Sequence, residues 1–448
     1  MPASLHALLP DAAVVDLAAY TDAGGGRGLE RALEIGPDAT IEEVRRSGLR
    51  GRGGAGFPTG TKWSSVAEAA QEGGTTYVAC NAAEGEPGTF KDRALMARNP
   101  YRLVEGVLIA KHAVGAPRAF IAVKERFTHE RQRVVDARDA AVAAGWEGAD
   151  ELKVVFGPDE YLFGEESAML EVIEGKLPLP RIMPPYQAGL FATMGSPNPT
   201  VVNNVETLSN VPSILAEGAE AFRAVGTEEA PGTMVFTVVG DVETPGVYEL
   251  PLGTSLRTLV CEIAGAEDPQ AIISGVSNTV ITPDLLDLPL DFDSFAEAGS
   301  GMGSGGFMVY GAQRDMVQVA ATLARFLAIE SCGQCLACKL GTGAMWEHLD
   351  RLVAGDGDDT DIQELRNHTQ TVTDGNRCYL PVGAALLIRS FLIEFGDAFT
   401  ARIGSPSTAE PVPVPKLLDV DPVTGEVTYD PEYHRKRADW SYAETDGG

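Results

Sequence analysis

The chain has 448 residues, with 64 acidic against 35 basic side chains and a formal net charge of −29. That balance argues against sequence-independent binding to nucleic acid or to an anionic bilayer, both of which rest on basic patches. A hydrophobic fraction of 44% is ordinary for a soluble protein and gives core enough for roughly two to four domains.

Residues 1–20 lack a basic region ahead of their apolar residues, and no later run reaches the roughly 18 uninterrupted apolar residues of a membrane span. A cytoplasmic chain is expected. Six cysteines fit a reducing compartment better than a disulfide framework. Cys80 and Cys261 lie in apolar surroundings and read as small buried hydrophobes.

Residues 40–49 read as a short helix capped by Thr40, with Glu43 three positions on completing a capping box. The loop that follows, Gly51-Arg52-Gly53-Gly54-Ala55-Gly56-Phe57-Pro58-Thr59-Gly60, holds five glycines in ten residues. Such a backbone can bring N–H groups against an anionic ligand, and Lys62 just beyond suits a phosphate. Gly51, Gly53 and Gly56 also satisfy GxGxxG. The dinucleotide fingerprint, however, follows a strand and opens a helix, whereas here a helix precedes and Pro58 with Gly60 is expected to interrupt what comes next.

Strand and helix signals then alternate: a strand over residues 77–80, a helix over 101–112, a strand over 119–123, a helix over 130–144 and a strand over 153–156. This pattern predicts an α/β layer with parallel strands. Two acidic loops, Asn81-Ala82-Ala83-Glu84-Gly85-Glu86 and Tyr161-Leu162-Phe163-Gly164-Glu165-Glu166, follow the first and third strands, at the carboxyl edge where parallel sheets bind ligands. Proline-rich residues 178–199 form an irregular connection. They deliver Val202-Asn203-Asn204-Val205-Glu206-Thr207, whose amides suit a ring edge or a ribityl chain, or else cap the helix beginning near Val205.

From about residue 228 the pattern changes to short strands and tight turns, a hairpin over 233–250 and a helix over 255–264, making a small α+β module that the glycine-rich residues 299–306 bring to an end. Residues 315–331 carry Met316, Val319, Ala320, Leu323, Phe326 and Leu327 at helical period. Helices over 344–352, 361–373 and 380–395 complete a small bundle. Beyond residue 404 the chain is proline-rich and polar, with His434-Arg435-Lys436-Arg437 near its end, and reads as an extended arm available to a partner.

Where the 315–331 helix ends stands Glu330-Ser331-Cys332-Gly333-Gln334-Cys335-Leu336-Ala337-Cys338. Three thiols two residues apart can wrap one corner of a cubane, with Cys378 the remaining downstream candidate for the fourth ligand. The spacing favours an iron–sulfur cluster over structural zinc, whose sites present two separated ligand pairs. His348 and His368, within the loop that Cys378 closes, read as surface helix residues, with substitute ligands as the alternative.

Taken in order, these motifs resemble the NADH-binding flavoprotein subunit of respiratory complex I and its relatives in NAD-reducing hydrogenases and formate dehydrogenases, over residues of about 49–395. The resemblance implies a Rossmann-like FMN domain, a β-grasp domain of the soluble-ligand-binding type and a helical bundle with a [4Fe-4S] cluster. The corresponding segments are 1–227, 228–311 and 312–404, followed by the arm at 405–448. It further implies FMN held around Gly51, Arg52, Gly53, Gly54, Gly56, Lys62, Asn81, Tyr161, Gly164, Glu165, Glu166, Val202, Asn203, Asn204 and Thr207. Glu84 would lie near the flavin, Phe57 and Glu86 would face NAD(H), and Cys332, Cys335, Cys338 and Cys378 would hold the cluster. The implied chemistry passes electrons between nicotinamide, flavin and cluster inside a larger complex, beside a thioredoxin-like [2Fe-2S] subunit and a larger iron–sulfur or catalytic subunit. Three positions depart from the family pattern. Ala83 replaces Asp, Phe163 replaces Cys and Met183 replaces Lys, which leaves a ferredoxin-type carrier, or a scaffold without turnover, as the rival readings.

Overall fold

The computed structural model describes residues 8–71, 74–421 and 424–444. The expectation for residues 1–20 and the two outermost segment assignments therefore fall partly outside the described residues. The chain condenses into two compact units. The first holds the described residues through Gly85, then Phe90–Phe236 and Tyr248–Thr254; the second holds Glu86–Thr89, Thr237–Val247 and the described residues from Ser255 onward.

The first unit opens with helices α1 (Leu17–Asp22), α2 (Arg27–Ile35), α3 (Pro37–Ser47) and α4 (Thr59–Gln71). Strand β1 (Tyr77–Ala82), helices α5 (Lys91–Arg98) and α6 (Pro100–Ala113), strand β2 (Ala119–Lys124), helix α7 (Thr128–Ala143) and strand β3 (Leu152–Gly157) follow. Helix α8 (Glu166–Ile173), strand β4 (Thr200–Asn204) and helices α9 (Val205–Glu217) and α10 (Ala219–Arg223) complete it. The strands form one sheet of order β3-β2-β1-β4, parallel throughout, with Ala79 opposite both Phe120 and Val202. Its apolar runs are what a sheet covered on both faces requires, and β2 is buried along its whole length.

A second sheet, of order β6-β5-β8-β7, is built from β5 (Thr233–Gly240), β6 (Gly246–Pro251), β7 (Pro269–Ile273) and β8 (Gly306–Gly311). β8 runs parallel to β5 and antiparallel to β7. Helix α11 (Phe292–Glu297) precedes β8, and after it come α12 (Met316–Glu330), α13 (Leu336–Ala354), α14 (Asp359–Thr371), α15 (Leu380–Glu394) and α16 (Gly396–Ala401). α12 is a core helix, with most of its residues buried. Its amino end is capped by Asp315, which accepts hydrogen bonds from the amides of Val317 (3.0 Å) and Gln318 (3.4 Å).

Several expectations are corrected. The helix expected over 40–49 is α3, which begins at Pro37 behind Gly36, not at Thr40. Thr40 lies buried inside it and donates to the Gly36 carbonyl (2.9 Å), while Glu43 accepts from the Ala219 amide (2.6 Å), so no capping box forms. Nor do Pro58 and Gly60 interrupt the chain: α4 starts directly after Pro58 and includes Gly60. A Cβ there would stand 2.6 Å from the Arg45 Cα, so glycine is what lets α4 lie against α3. The helix expected at 255–264 is a π-helix over Thr258–Ile263, and residues 299–306 lead into β8 rather than ending the module. Cys80 is buried as expected, but Cys261 keeps partial exposure.

The terminal segment is not an extended arm. It forms an antiparallel hairpin, β9 (Leu417–Val420) with β10 (Val427–Tyr429), and then a turn whose Tyr433 and Lys436 are buried within the second unit.

Candidate functional site

In the first unit the glycine loop is drawn shut by Arg50, whose Nε donates to the Gly56 carbonyl (2.7 Å). Gly54 and Gly56 take φ of +121° and +60°, a region that side chains resist. The Arg52 amide donates to Thr207 Oγ1 (2.8 Å), and a Cβ on Gly53 would meet the Asn204 Cβ at 3.3 Å. The loop therefore lies at the β4–α9 junction, beyond the carboxyl end of the sheet. Phe57 extends from it, half exposed.

Lys62, in the first turns of α4, donates to Glu166 Oε1 (2.7 Å) and to the carbonyl of the buried Val202 (3.0 Å). Asn81, at the end of β1, donates to the Gly164 carbonyl (2.7 Å) and accepts from the Ala83 amide (3.2 Å). Tyr161 and Gly164 bound a single 3₁₀ turn. Behind it Glu165 caps α8, accepting from the amides of Ser167 (3.1 Å) and Ala168 (2.8 Å), with burial raising its carboxyl. Asn203 Oδ1 accepts from the Trp63 indole (2.7 Å), and Asn204 accepts from the Glu206 amide (2.9 Å), so Asn204 caps α9 as well as facing the loop. The fold thus brings all the candidate flavin residues together in the first unit. Glu86 belongs to the second, where Oε1 accepts from the Val276 amide (2.6 Å).

Beneath this edge lies a charge network whose members did not stand out as site residues. Lys91 pairs with Asp92 (2.7 Å) and Glu206 (2.8 Å), all buried, and Asn204 Nδ2 bonds the second oxygen of Asp92. Burial alone would lower Lys91, but Asp92, Glu206 and Glu84 together hold its ammonium above the ordinary range. Glu84 keeps some surface, yet its carboxyl oxygens turn inward to the amides of Asp92 (3.1 Å) and Arg93 (3.3 Å). Burial, and after it the neighbouring Asp92 charge, pushes it up to about 8. Lys91, Asp92 and Glu206 stand inside the motifs Phe90-Lys91-Asp92-Arg93 and Val205-Glu206-Thr207, but a pair spanning residues 91 to 206 has no local pattern.

Two of the three departures from the family pattern are absorbed in the core. Ala83 and Phe163 are both fully buried in one cluster with Ala79, Phe120 and Val202. A Cβ on Gly157 would strike the Phe163 ring at 2.3 Å, so the larger side chain occupies room left by glycine at the end of β3. Met183 is half exposed on the irregular connection.

The donor set fits a phosphate-bearing ring system. The loop offers backbone N–H groups without side chains in the way, Lys62 a cation, and Asn81, Asn203 and Asn204 amides at the sheet edge.

In the second unit α12 ends at Glu330 and α13 starts at Leu336, so Cys332 and Cys335 sit in the turn between them and Cys338 in the first turn of α13. Gly333, at φ +79°, makes that turn. Cys378 precedes α15, which packs against both α12 and α13. None of the four is tied up in a disulfide. Ser331 Oγ lies 3.2 Å from Cys338 Sγ, and Gln334 Nε2 donates to Cys332 Sγ at 3.7 Å. Burial pushes the Cys338 thiol up, against the Ser331 hydrogen bond, and the charges of Cys332 and Cys335 act in the same direction as burial. Among the described residues no such side chains close around a single metal-ion position. Thiols on turns that glycine makes pliable, with hydrogen-bond donors to sulfur, match the ligand chemistry of an iron–sulfur cluster. His348 instead pairs with Asp361 (2.7 Å) and lies near His368, as surface helix residues do.

Comparison with known proteins matches residues 44–213 to the Nuo51 FMN-binding domain, 235–274 to the SLBB domain and 318–402 to the NADH-ubiquinone oxidoreductase-F iron-sulfur binding region. An NADH-quinone oxidoreductase subunit of Rhizobium meliloti (strain 1021), designated F 2, is 42% identical over 403 residues, 86% of this chain and 94% of the relative. The one designated F in Rickettsia massiliae (strain Mtu5) is 38% identical over 404 residues, 87% of this chain and 95% of the relative. A crystal structure of NAD+-reducing [NiFe]-hydrogenase in the H2-reduced state superposes with a TM-score of 0.78 at 35% identity, covering 88% of this chain and 67% of the other. No helix among the described residues is long and apolar enough to cross a membrane.

Proposed function

Because the chain belongs to the NADH-quinone oxidoreductase-F family, we propose that it is the electron-input subunit of a multisubunit oxidoreductase, binding FMN, NADH and one [4Fe-4S] cluster. The observation that carries this reading is the gathering of the glycine loop, Lys62, Asn81, Glu165 and Asn204 at the carboxyl edge of the parallel sheet, on the same chain as four cysteines outside any disulfide and set at helix starts and turns.

In this reading Lys62 and the amides of Gly53 and Gly54 hold the phosphate, while Gly51 and Arg52, whose amides bond Phe57 and Thr207, shape the loop with Gly56. Asn81, Tyr161, Gly164, Glu165, Glu166, Val202, Asn203, Asn204 and Thr207 frame the rest of the ligand. Phe57 and Glu86 are the contacts for the nicotinamide nucleotide. Burial and the neighbouring Asp92 charge raise the Glu84 carboxyl to about 8, which favours its protonated form beside the flavin. Bound flavin would convert the two electrons of a hydride into the single electrons that a cluster carries. Cys332, Cys335, Cys338 and Cys378 would hold that cluster.

The subunits beside it would be a thioredoxin-like [2Fe-2S] protein and a larger iron–sulfur or catalytic subunit, and the site of action the cytoplasm. Purified protein should carry flavin released as FMN and iron with acid-labile sulfide in the proportion of one cubane. Flavin present without iron, or iron without sulfide, would overturn the cluster half; iron–sulfur without flavin would overturn the other.

A further inference from the structure

The end of α12 points its carbonyls at the cysteine turn. A helix carboxyl end carries partial negative charge, and its last carbonyls lack partners within the helix. Such an end is a poor neighbour for several thiolates unless it is capped. Here the caps come from Lys339, beside Cys338, and from the terminal segment. Lys339 Nζ donates to the carbonyls of Ala328 (3.2 Å), Ser331 (2.7 Å) and Ala438 (2.7 Å). Trp440 Nε1 donates to the Ile329 carbonyl (3.0 Å). Glu330 is fully buried and receives Tyr433 Oη and Lys436 Nζ, each at 2.8 Å. Arg325 holds the same segment through the carbonyls of His434 (2.7 Å) and Lys436 (3.1 Å).

Trp440 sits at φ +69°, a conformation that a bulky residue keeps only where its surroundings enforce it. Ser331 links the Lys339 ammonium to the sulfurs: its carbonyl takes Lys339 Nζ at 2.7 Å while its Oγ lies 3.2 Å from Cys338 Sγ. We propose that Lys339, strapped down by the terminal segment through Ala438 and Trp440, is a positioning residue that holds a fixed positive charge over the cysteine turn and sets the reduction potential of the cluster bound there. Reduction adds an electron to an already anionic centre, so a nearby cation favours the reduced form.

This inference rests on the reading of the four cysteines as cluster ligands. Failure of that reading would appear as absent iron in the unaltered protein, whereas failure of the inference appears only in the variants. The test is a redox titration of the purified, cluster-loaded protein followed by electron paramagnetic resonance. Lys339→Met should retain iron and shift the cluster's reduction equilibrium about tenfold toward the oxidised form, a lowering of about 59 mV for a one-electron couple, and Lys339→Arg should restore it. Trp440→Phe, away from the sulfurs, uncaps the Ile329 carbonyl and should shift the potential in the same direction by less. It decides the matter should the Lys339 variants not retain iron. An unchanged potential in Lys339→Met, or in Trp440→Phe, would overturn the proposal. So would iron lost in Lys339→Met and regained in Lys339→Arg, which would make the lysine a strut.

Discussion

The two ends of the proposed electron path are built on opposite principles. At the glycine loop the groups are already bonded to one another: Lys91 to Asp92 and Glu206 in the interior, Asn204 to Asp92, and Lys62 to Glu166 nearer the surface. At the cysteine turn the functional groups are four cysteines outside any disulfide at the ends of helices, with order supplied from behind by Lys339 and the terminal segment. The first site is held by the protein's own ion pairs and leaves a shape for a ligand. The second holds donors whose thiolate state a metal would complete. A substitution in the buried network should therefore cost stability at the first, and one at a cysteine should cost cofactor at the second.

The largest effect expected on the cluster side is from Cys378→Ser, which should abolish or sharply reduce cluster iron while the far-ultraviolet circular dichroism stays native. Iron and sulfide analysis checks this, and an unaltered cluster would remove Cys378 from the ligand set. On the flavin side, Lys91→Met leaves Asp92 and Glu206 buried without their cation. It should lower stability by about 3–5 kcal/mol, read from denaturant unfolding; a loss below about 1 kcal/mol would mean that the network does not hold this edge together.

Lys62→Ala removes one charge-assisted contact from the proposed phosphate site without emptying the core. It should weaken FMN binding by about tenfold or more, measured by fluorescence quenching on flavin-free protein. An equal effect on iron content would dissolve the distinction between the two sites.

The smallest effect is a pH slope. The Glu84 carboxyl is raised from the ordinary range to about 8 in the folded protein, so the folded state binds a proton that the unfolded state has released. That contribution is fully present below the ordinary carboxylate range and is lost as pH climbs to about 8. Stability of flavin-free protein should fall over this window, and Glu84→Gln should flatten the fall.

Much of this was legible in the chain itself. The alternation of apolar runs with helical stretches placed β1, β2 and β3 of the parallel sheet, and the CxxCxxC spacing located the turn after α12. Misreadings came where a local signal was overruled. Thr40-x-x-Glu43 has the form of a capping box, but Pro37 behind Gly36 is a stronger start and makes Thr40 an interior residue. Pro58 looked like a breaker, yet it stands one position before α4, where it does no harm. The terminal segment reads as a polar arm because composition averages away Tyr433, Lys436 and Trp440, the residues that fold it back. The Lys91–Glu206 pair joins distant positions, and such a coupling leaves no trace in a window of neighbouring residues.

Anaerobic titration of the purified complex with NADH, followed at the flavin absorption band and by the cluster's paramagnetic signal, tests the proposed path most directly. Bleaching of the flavin together with appearance of the reduced-cluster signal is the predicted result. A flavin that stays oxidised in the presence of NADH but is reduced by a ferredoxin-type donor would contradict it.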